Sequence, residues 1–337
     1  MIFVKVAFFE VQPWEKQLLK DGLTGFDVEL HHEPLDEGNI SKAADAEVVS
    51  VFIYSNLTAE LIGKLSKTKL ISTRSTGFDH IDTAAKQKGI LVCNVPVYGE
   101  ITVAEHTFAL ILSLSRGIHD SYERSRRGDF NCESVQGFDL NGKTLGVLGT
   151  GRIGAHVIGI AKGFSMKVLA FDKFPKNGLA EKLGFEYVDW KRLLRESDVV
   201  TLHLPLNDET HHFLNQESIR LMKPSAIVIN TARGGLVDSE ALTEALVDKR
   251  LRGAGLDVLE AETLIREEAQ LLLDNLPREQ LATILRAHIL LRLNNVIITP
   301  HCAFNSKESL ERLTQMTIEN IKGFASGKPQ NIVAASG

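Results

Sequence analysis

The chain has few cysteines and no long apolar run, and these absences exclude several classes of protein. Only three of its 337 residues are cysteines, at the widely separated positions Cys93, Cys132 and Cys302. They form neither a CxxC motif nor a metal-ligand pattern, so we expect no disulfide framework, no metal site and a reduced, cytoplasmic setting. No apolar stretch approaches the roughly 18 residues of a membrane span. The first residues are typical of a strand rather than a signal peptide.

The chain also lacks a large excess of positive or negative charge. The 38 Lys and Arg residues nearly balance the 43 Asp and Glu residues, which leaves a formal net charge of −5. The longest runs of like charge are pairs such as Arg126-Arg127 and Glu267-Glu268. This pattern argues against a surface that binds nucleic acid. The 44% hydrophobic and 24% charged content is that of a globular protein, and the length fits two domains of about 150 residues each.

Short β-rich apolar runs alternate with amphipathic stretches along almost the whole chain. This alternation is typical of parallel sheets covered by helices, so we expect an α/β protein. The predicted strands fall into two series, 2–8, 48–53, 70–72 and 90–93, then 144–149, 167–171, 199–203, 226–230, 255–258 and 296–299.

Two predicted helical stretches have unusual composition. Residues 102–114 are apolar around most of a helix circumference, which is typical of a helix buried between domains or between subunits. Residues 263–293 are rich in leucine, helical in period and interrupted at Pro277, which predicts a helical insertion in the second series.

A glycine-rich turn follows the strand predicted at 144–149, with the sequence Gly149-Thr150-Gly151-Arg152-Ile153-Gly154. In a G-x-G-x-x-G turn that opens a helix, the first glycine permits a tight turn and the second lets the backbone approach a pyrophosphate. The third lets the helix pack closely, and the free N–H groups of the helix start face the anion.

Asp172 ends the next predicted strand, 23 residues after Gly149. A carboxylate at this position can accept hydrogen bonds from an adenosine ribose and would repel a 2′-phosphate. The pattern therefore favours NAD over NADP, although the neighbouring Lys173 weakens the distinction.

Polar residues follow three further predicted strands. Arg233 comes one turn after the strand at 226–230, Glu260 and Glu262 follow the strand at 255–258, and His301 comes directly after Pro300 at the end of the last strand. Ligands of open parallel sheets bind at the carboxyl ends of the strands. Each residue alone could be a surface ion-pair partner, a helix-start acid or a loop histidine, but together they favour a reacting centre beside the dinucleotide.

The three side chains suit the reduction of a 2-oxo acid. A guanidinium is always charged and can bind a carboxylate or polarise a carbonyl through two hydrogen bonds. An imidazole titrates near neutrality and can deliver the proton that accompanies hydride transfer. A neighbouring carboxylate favours the charged ring, so we expect Glu262 to keep His301 protonated and oriented.

The order of these motifs resembles the D-isomer-specific 2-hydroxyacid dehydrogenases, from about residue 48 to residue 321. Within that family the chain is most similar to D-lactate and D-hydroxyisocaproate dehydrogenases. The resemblance rests on the glycine turn, on Asn230-Thr231-Ala232-Arg233-Gly234, Gly255-Leu256-Asp257-Val258 with Glu262, and Thr299-Pro300-His301, and on two N-terminal segments, 74–82 and 103–107.

The resemblance implies a role for each matching residue. Arg233 would bind the substrate carboxylate and carbonyl, His301 would be the acid and base, and Glu262 its partner. The backbone of Thr76 and Gly77 would hold the substrate carboxylate, with Tyr98 and Phe304 lining the pocket. Asp257 would lie near the nicotinamide carboxamide, and the cofactor would also run past Leu204, Pro205, Thr210, Thr231 and Ala232.

The family architecture implies two doubly wound parallel-sheet domains. Residues 1–100 and 301–337 would form a flavodoxin-like substrate domain, and residues 101–300 a Rossmann domain that binds NAD. The region 101–117 would be the contact of a homodimer. This chain departs from many members in its long insertion after Glu262 and in Asn305, which stands where an aromatic residue is often found.

The sequence thus predicts an NAD-dependent oxidoreductase that interconverts a small 2-oxo acid and its D-2-hydroxy acid, with pyruvate and D-lactate as the leading pair. Hydroxypyruvate, glyoxylate or a branched-chain 2-oxo acid is the alternative substrate. A different class also remains open, a non-catalytic NADH-sensing protein like the transcriptional corepressors that share the fold and the three polar residues.

Overall fold

The structure is a computed structural model that describes residues 4–260, 262 and 278–333. The chain packs as two compact units. One comprises the residues up to Gly99 together with those from Ser306 onward, and the other comprises Glu100–Asn305. The chain therefore leaves the first unit once and returns to it near its C-terminus.

The first unit is a five-stranded parallel sheet. Its strands are β1 (Lys5–Phe8), β2 (Asp27–Leu30), β3 (Val48–Val51), β4 (Leu70–Thr73) and β5 (Leu91–Cys93), in the spatial order β2-β1-β3-β4-β5. This is the flavodoxin-like order, in which the direction of winding reverses between β1 and β3. Strand β3 is buried along its whole length, as expected for a central parallel strand with both faces covered.

In the described part of this unit the sheet is covered by the helices α1 (Lys16–Gly22), α2 (Ala59–Lys64), α3 (Ala84–Gln87) and, from the end of the chain, α12 (Lys307–Ala325). Ile318 and Ile321 of α12 pack with Phe8 of β1 and Leu19 of α1 in one buried apolar cluster. The C-terminal helix is therefore part of the core of the first unit.

The second unit is a seven-stranded parallel sheet. Its strands are β6 (Thr144–Leu148), β7 (Lys167–Phe171), β8 (Glu186–Tyr187), β9 (Val199–Leu202), β10 (Ile227–Asn230), β11 (Gly253–Leu256) and β12 (Val296–Ile298). Their order is β12-β11-β10-β9-β6-β7-β8, so the winding reverses between β6 and β9. Its helices are α4 (Glu100–Arg116), α5 (Ile118–Arg126), α6 (Arg152–Gly163), α7 (Leu179–Leu183), α8 (Trp190–Glu196), α9 (Gln216–Arg220), α10 (Ser239–Val247) and α11 (Arg278–Arg292).

The two parallel sheets confirm the predicted fold class. The sequence pattern missed β2 and β8, which are four and two residues long and lie at sheet edges. Each of these two strands exposes a glutamate or aspartate, so neither presents the continuous apolar run of a central strand. Of the predicted insertion, residues 263–277 lie outside the described part of the chain, and residues 278–292 form α11.

Helix α4 contains the apolar stretch predicted at 102–114. It packs against α6, β10 and β11 of its own unit. A β-carbon placed on Gly255 of β11 would lie 3.0 Å from the β-carbon of Leu110, so a glycine there lets the helix approach the sheet. No helix in the described ranges has the length and apolar character that a bilayer crossing requires.

Candidate active site

The glycine turn joins β6 to α6 at the point where the winding of the second sheet reverses. Gly149 has a positive φ of 97°, and a β-carbon there would lie 2.6 Å from the carbonyl oxygen of His203 after β9. A β-carbon on Gly154 would lie 2.1 Å from the carbonyl oxygen of Gly149. Glycine at both positions therefore lets the turn, α6 and β9 meet closely, whereas Gly151 faces open space, with no other described atom within 4 Å of a β-carbon there.

Asp172, at the end of β7, is fastened to this turn. Its Oδ2 accepts hydrogen bonds from the backbone N and the Oγ1 of Thr150, at 2.7 and 2.9 Å. Its Oδ1 accepts one from the backbone N of Phe174, at 2.9 Å. A carboxylate offers about four acceptor sites, so these three bonds leave capacity for a ribose hydroxyl.

The chain after β9 forms a compact loop beside the glycine turn. The Oγ1 of Thr210 donates to the carbonyl oxygen of Pro205 at 2.6 Å, which closes the loop that begins at the buried Leu204. His203 precedes this loop, and burial lowers its pKa to about 3. Its ring is therefore neutral at physiological pH and contacts the Oγ1 of Thr201 at 2.9 Å. The sequence patterns did not single out His203.

The chain after β10 carries Arg233. The side chain of Asn230 fixes this turn, because its Oδ1 accepts the N–H of Ala232 at 3.0 Å and its Nδ2 donates to the carbonyl of Arg233 at 2.8 Å. The hydroxyl of Thr231 is 3.0 Å from that of Thr107 on α4. The guanidinium of Arg233 donates one hydrogen bond to the carbonyl of Ala232, at 2.8 Å.

Asp257, directly after β11, holds the segment that contains His301. The carbonyl of Asp257 accepts the N–H of His301 at 2.8 Å. Its carboxylate accepts the next two backbone N–H groups, those of Cys302 and Ala303, both at 2.9 Å. The hydroxyl of Thr299 donates to the same carboxylate at 2.5 Å. One residue that is 1% exposed thus binds three consecutive N–H groups.

This anchoring maintains an unusual backbone at His301. The residue has a positive φ of 51°, a region that non-glycine residues rarely occupy and that costs about 1 kcal/mol or more. The ring is held as well, since its Nδ1 lies 3.1 Å from Oε2 of Glu262. Both side chains are 24% exposed, so the pair is half-buried and the second ring nitrogen, Nε2, faces away from Glu262.

Two further residues, to which the sequence patterns assign no role, lie beside this arrangement. His106 of α4 lies with its Nε2 3.0 Å from the hydroxyl of Thr299 and 3.6 Å from Oδ1 of Asp257. Cys302 is next to His301, and its burial, together with the charge of Asp257, raises the pKa of its thiol. Cys302 is therefore a neutral thiol at physiological pH.

Glu260 anchors the segment that leads to Glu262. One of its oxygens is 2.7 Å from Nε2 of His212, and the other accepts the hydroxyl of Ser239 at 2.6 Å. Burial opposes ionisation, but these hydrogen bonds hold the pKa of Glu260 below its ordinary value. A β-carbon on Gly234 would lie 2.1 Å from the carbonyl oxygen of Leu259, so the Arg233 turn packs directly on this segment.

The strand register explains why Arg233, Glu262 and His301 lie at one edge. Strands β10, β11 and β12 are parallel neighbours, with Asn230 opposite Leu256 and Leu256 opposite Ile298. Because their carboxyl ends are level, the three segments that follow them begin side by side. Phe304, half-buried, follows His301 on the third segment.

The other predicted substrate-binding residues belong to the first unit. Thr76 and Gly77 follow β4. The hydroxyl of Thr76 donates to the carbonyl of Val95 at 2.9 Å, and the hydroxyl of Ser75 donates to the carbonyl of Gly77 at 2.6 Å. These bonds fix the turn while Thr76 stays exposed. Tyr98 is buried, and its carbonyl accepts a hydrogen bond from Nε of Arg312 at 2.8 Å.

Comparison with known proteins agrees with this geometry. Residues 108–303 match the family model of the NAD binding domain of D-isomer specific 2-hydroxyacid dehydrogenases. The chain belongs to this dehydrogenase family. Its relatives include the D-lactate dehydrogenase of Escherichia coli K12, 35% identical over 96% of this chain and 98% of the relative. The glycerate dehydrogenase of Methylorubrum extorquens AM1 is 40% identical over 83% of each chain.

A solved structure is similar along nearly the whole length. D-lactate dehydrogenase from Aquifex aeolicus, complexed with NAD and lactic acid, is 37% identical, with a TM-score of 0.88 over 98% of this chain and all of that one. As in other members of the family, the second unit of this dehydrogenase binds NAD. The match to the NAD binding domain confirms the cofactor predicted from the glycine turn. The open space at Gly151, next to the N–H groups that begin α6, leaves room for its diphosphate.

Two glycine substitutions should separate packing from cofactor binding. Gly154→Ala places a methyl group against the backbone of Gly149, so we expect a lower melting temperature and weaker NADH binding. Gly151→Ala meets no described atom, so we expect an unchanged melting temperature but at least about tenfold weaker NADH binding, because the methyl group blocks the pyrophosphate. Thermal unfolding and NADH fluorescence titration measure both. Equal NADH affinity in Gly151→Ala and the unsubstituted protein would contradict the assigned diphosphate position.

Proposed function

We propose that this dehydrogenase interconverts a small 2-oxo acid and its D-2-hydroxy acid, with pyruvate and D-lactate as the preferred pair. The observation that carries the proposal is the hydrogen-bonded pair of Glu262 and His301, held by Asp257 at the sheet edge where Arg233 and the glycine turn also lie. The similarity to two D-lactate dehydrogenases supports the choice of substrate. The glycerate dehydrogenase relative keeps hydroxypyruvate as the second candidate.

Each polar residue has a distinct task in this reaction. Arg233 binds the carboxylate and polarises the carbonyl of the 2-oxo acid, since its charge is permanent. His301 donates the proton on Nε2 to the carbonyl oxygen during reduction and takes it back during oxidation. Glu262 accepts the N–H of Nδ1 and stabilises the charged ring. NADH, when bound, supplies the hydride.

The remaining residues bind and orient the two reactants. We propose that the glycine turn, Asp172, Asp257 and the residues 204–205, 210 and 231–232 contact NAD. Thr76, Gly77, Tyr98 and Phe304 contact the 2-oxo acid, which makes the first unit the substrate domain. A homodimer formed through the region 101–117 and a cytoplasmic location complete the proposal.

The rates at which the enzyme reduces different 2-oxo acids identify its preferred substrate. We expect NADH-dependent turnover to be fastest with pyruvate and slower with 2-oxoisocaproate, phenylpyruvate, hydroxypyruvate and glyoxylate at equal concentrations. Oxidation of NADH at 340 nm measures each rate. If hydroxypyruvate were reduced fastest, it would take the place of pyruvate as the proposed substrate. A lack of turnover on all five acids would contradict the enzymatic proposal and favour the NADH-sensing alternative.

Replacing the acidic partner of His301 should move the pH dependence of reduction. In Glu262→Gln the imidazolium loses the anion that stabilises it, so the ring gives up its proton at lower pH. Because reduction needs the protonated ring, we expect the alkaline limb of the kcat/KM profile to shift to lower pH.

Glu240→Gln is the matched control, since Glu240 forms an exposed ion pair with Arg286 in the same unit. Its profile should equal that of the unsubstituted enzyme. An unshifted alkaline limb in Glu262→Gln would remove Glu262 from its proposed role.

A further inference from the structure

Glu10 is a buried carboxylate in an unfavourable backbone conformation. It lies two residues after β1, is 4% exposed and has a positive φ of 61°. A positive φ at a non-glycine residue is unfavourable and persists only where the surrounding contacts compensate. An ionisable side chain is also costly to bury unless its oxygens are satisfied. The contacts of Glu10 therefore have to be specific and strong.

All of the described hydrogen bonds to the Glu10 carboxylate come from one short segment. Its Oε1 accepts the backbone N–H groups of Phe52 and Ser55, both at 3.0 Å, and its Oε2 accepts that of Tyr54 at 3.0 Å. The hydroxyl of Ser55 also donates to Oε1. We call residues 52–55 the aromatic loop. Four hydrogen bonds to a charged acceptor fix the backbone of this loop more firmly than neutral bonds would.

Arg74 joins the same anchor to the chain after β4. Its guanidinium donates to the carbonyls of Phe9 and Glu10 at 2.7 and 3.1 Å and to the hydroxyl of Ser50 at 3.2 Å. Arg74 is 1% exposed and lies two residues before Thr76. The ends of β1, β3 and β4 are thus tied together by side chains, and the aromatic loop is fixed beside the turn of Thr76 and Gly77.

The aromatic loop presents side chains rather than backbone to its surroundings. The rings of Phe52 and Tyr54 meet edge to face, with centroids 6.1 Å apart, and Tyr54 is 38% exposed. A backbone bound at three of its four N–H groups resists displacement by a larger neighbour. The two rings therefore form a surface of fixed shape next to the proposed carboxylate-binding turn.

We propose that Glu10 is a positioning residue that fixes the aromatic loop as a rigid wall and so restricts the enzyme to 2-oxo acids with small side chains. The inference rests on the proposed function for its link to the substrate. The anchor itself does not depend on any activity, and the two parts can be tested apart.

Glu10→Gln tests the anchor without a substrate. A glutamine keeps the shape of the side chain but turns an NH2 donor toward N–H donors, so at least one backbone bond is lost. Amide hydrogen exchange of the NAD-free protein should become faster, by about tenfold or more, at Phe52, Tyr54 and Ser55. The change should be absent at β5 and β6. Unchanged exchange in the aromatic loop would overturn the anchor.

Substrate discrimination tests the wall. For the unsubstituted enzyme, the ratio of kcat/KM for its best small substrate to that for phenylpyruvate defines the selectivity. In Glu10→Gln we expect this ratio to fall by about tenfold, with a raised KM for the small acid and little change in kcat or in NADH binding. Loss of a merely structural residue would lower both kcat/KM values alike, and an unchanged ratio would overturn the specificity role.

Two further variants complete the test. Ser55→Ala removes only the hydroxyl bond to Glu10 and should shift the ratio in the same direction by a smaller factor, which covers the case in which Glu10→Gln does not fold. Glu60→Gln removes an exposed carboxylate paired with Lys64 and should change neither exchange in the aromatic loop nor the ratio. If the unsubstituted protein turns over no 2-oxo acid, the proposed function and the wall both fail, whereas the exchange result still decides the anchor.

Discussion

The hydrogen bonds between Asp257 and the backbone of residues 301–303 are the interaction on which the second unit's site depends. They hold His301 in a left-handed backbone conformation that it would not otherwise keep. Asp257 can do this because it follows β11, the parallel neighbour of the strand before His301. The carboxylate also accepts a hydrogen bond from the hydroxyl of Thr299, so three described hydrogen bonds satisfy its oxygens. A buried charge thus serves as a local scaffold.

Both units use the carboxyl edge of a parallel sheet in the same way. In the second unit an aspartate binds the backbone of the segment that presents a histidine, and in the first a glutamate binds the backbone of the segment that presents two aromatic rings. In each case, just after the strands end, a buried carboxylate accepts hydrogen bonds from backbone N–H groups that are no longer paired in the sheet. This arrangement holds the backbone of the side chains that we propose to react with or select the substrate, and a fixed backbone is what orientation of a small substrate requires.

The sequence predicts the parts of this structure that depend on pattern or on backbone geometry. Central strands such as β7 and β10 were found from their apolar runs, and the glycine turn from its three glycines, two of which are demanded by the close approach of the turn, α6 and β9. The contact of Glu262 with His301 agrees with the predicted pairing, although the role of the pair in catalysis stays a proposal. The strands β2 and β8 were missed because each contains an exposed acidic residue and lacks a continuous apolar run. The anchoring contacts of Glu10, Arg74, His106 and Glu260 were not predicted, because their partners are 20 or more residues away in sequence and only the folded chain brings them together.

The most direct test of the account is a crystal structure with NADH and oxamate, an isostere of pyruvate that cannot be reduced. We expect the guanidinium of Arg233 to contact the oxamate carboxylate or carbonyl, and Nε2 of His301 to point at the carbonyl oxygen within hydrogen-bond distance. Nδ1 of the same ring should remain on Glu262. Oxamate bound away from Arg233, or a His301 ring turned so that Nε2 faces Glu262, would contradict it.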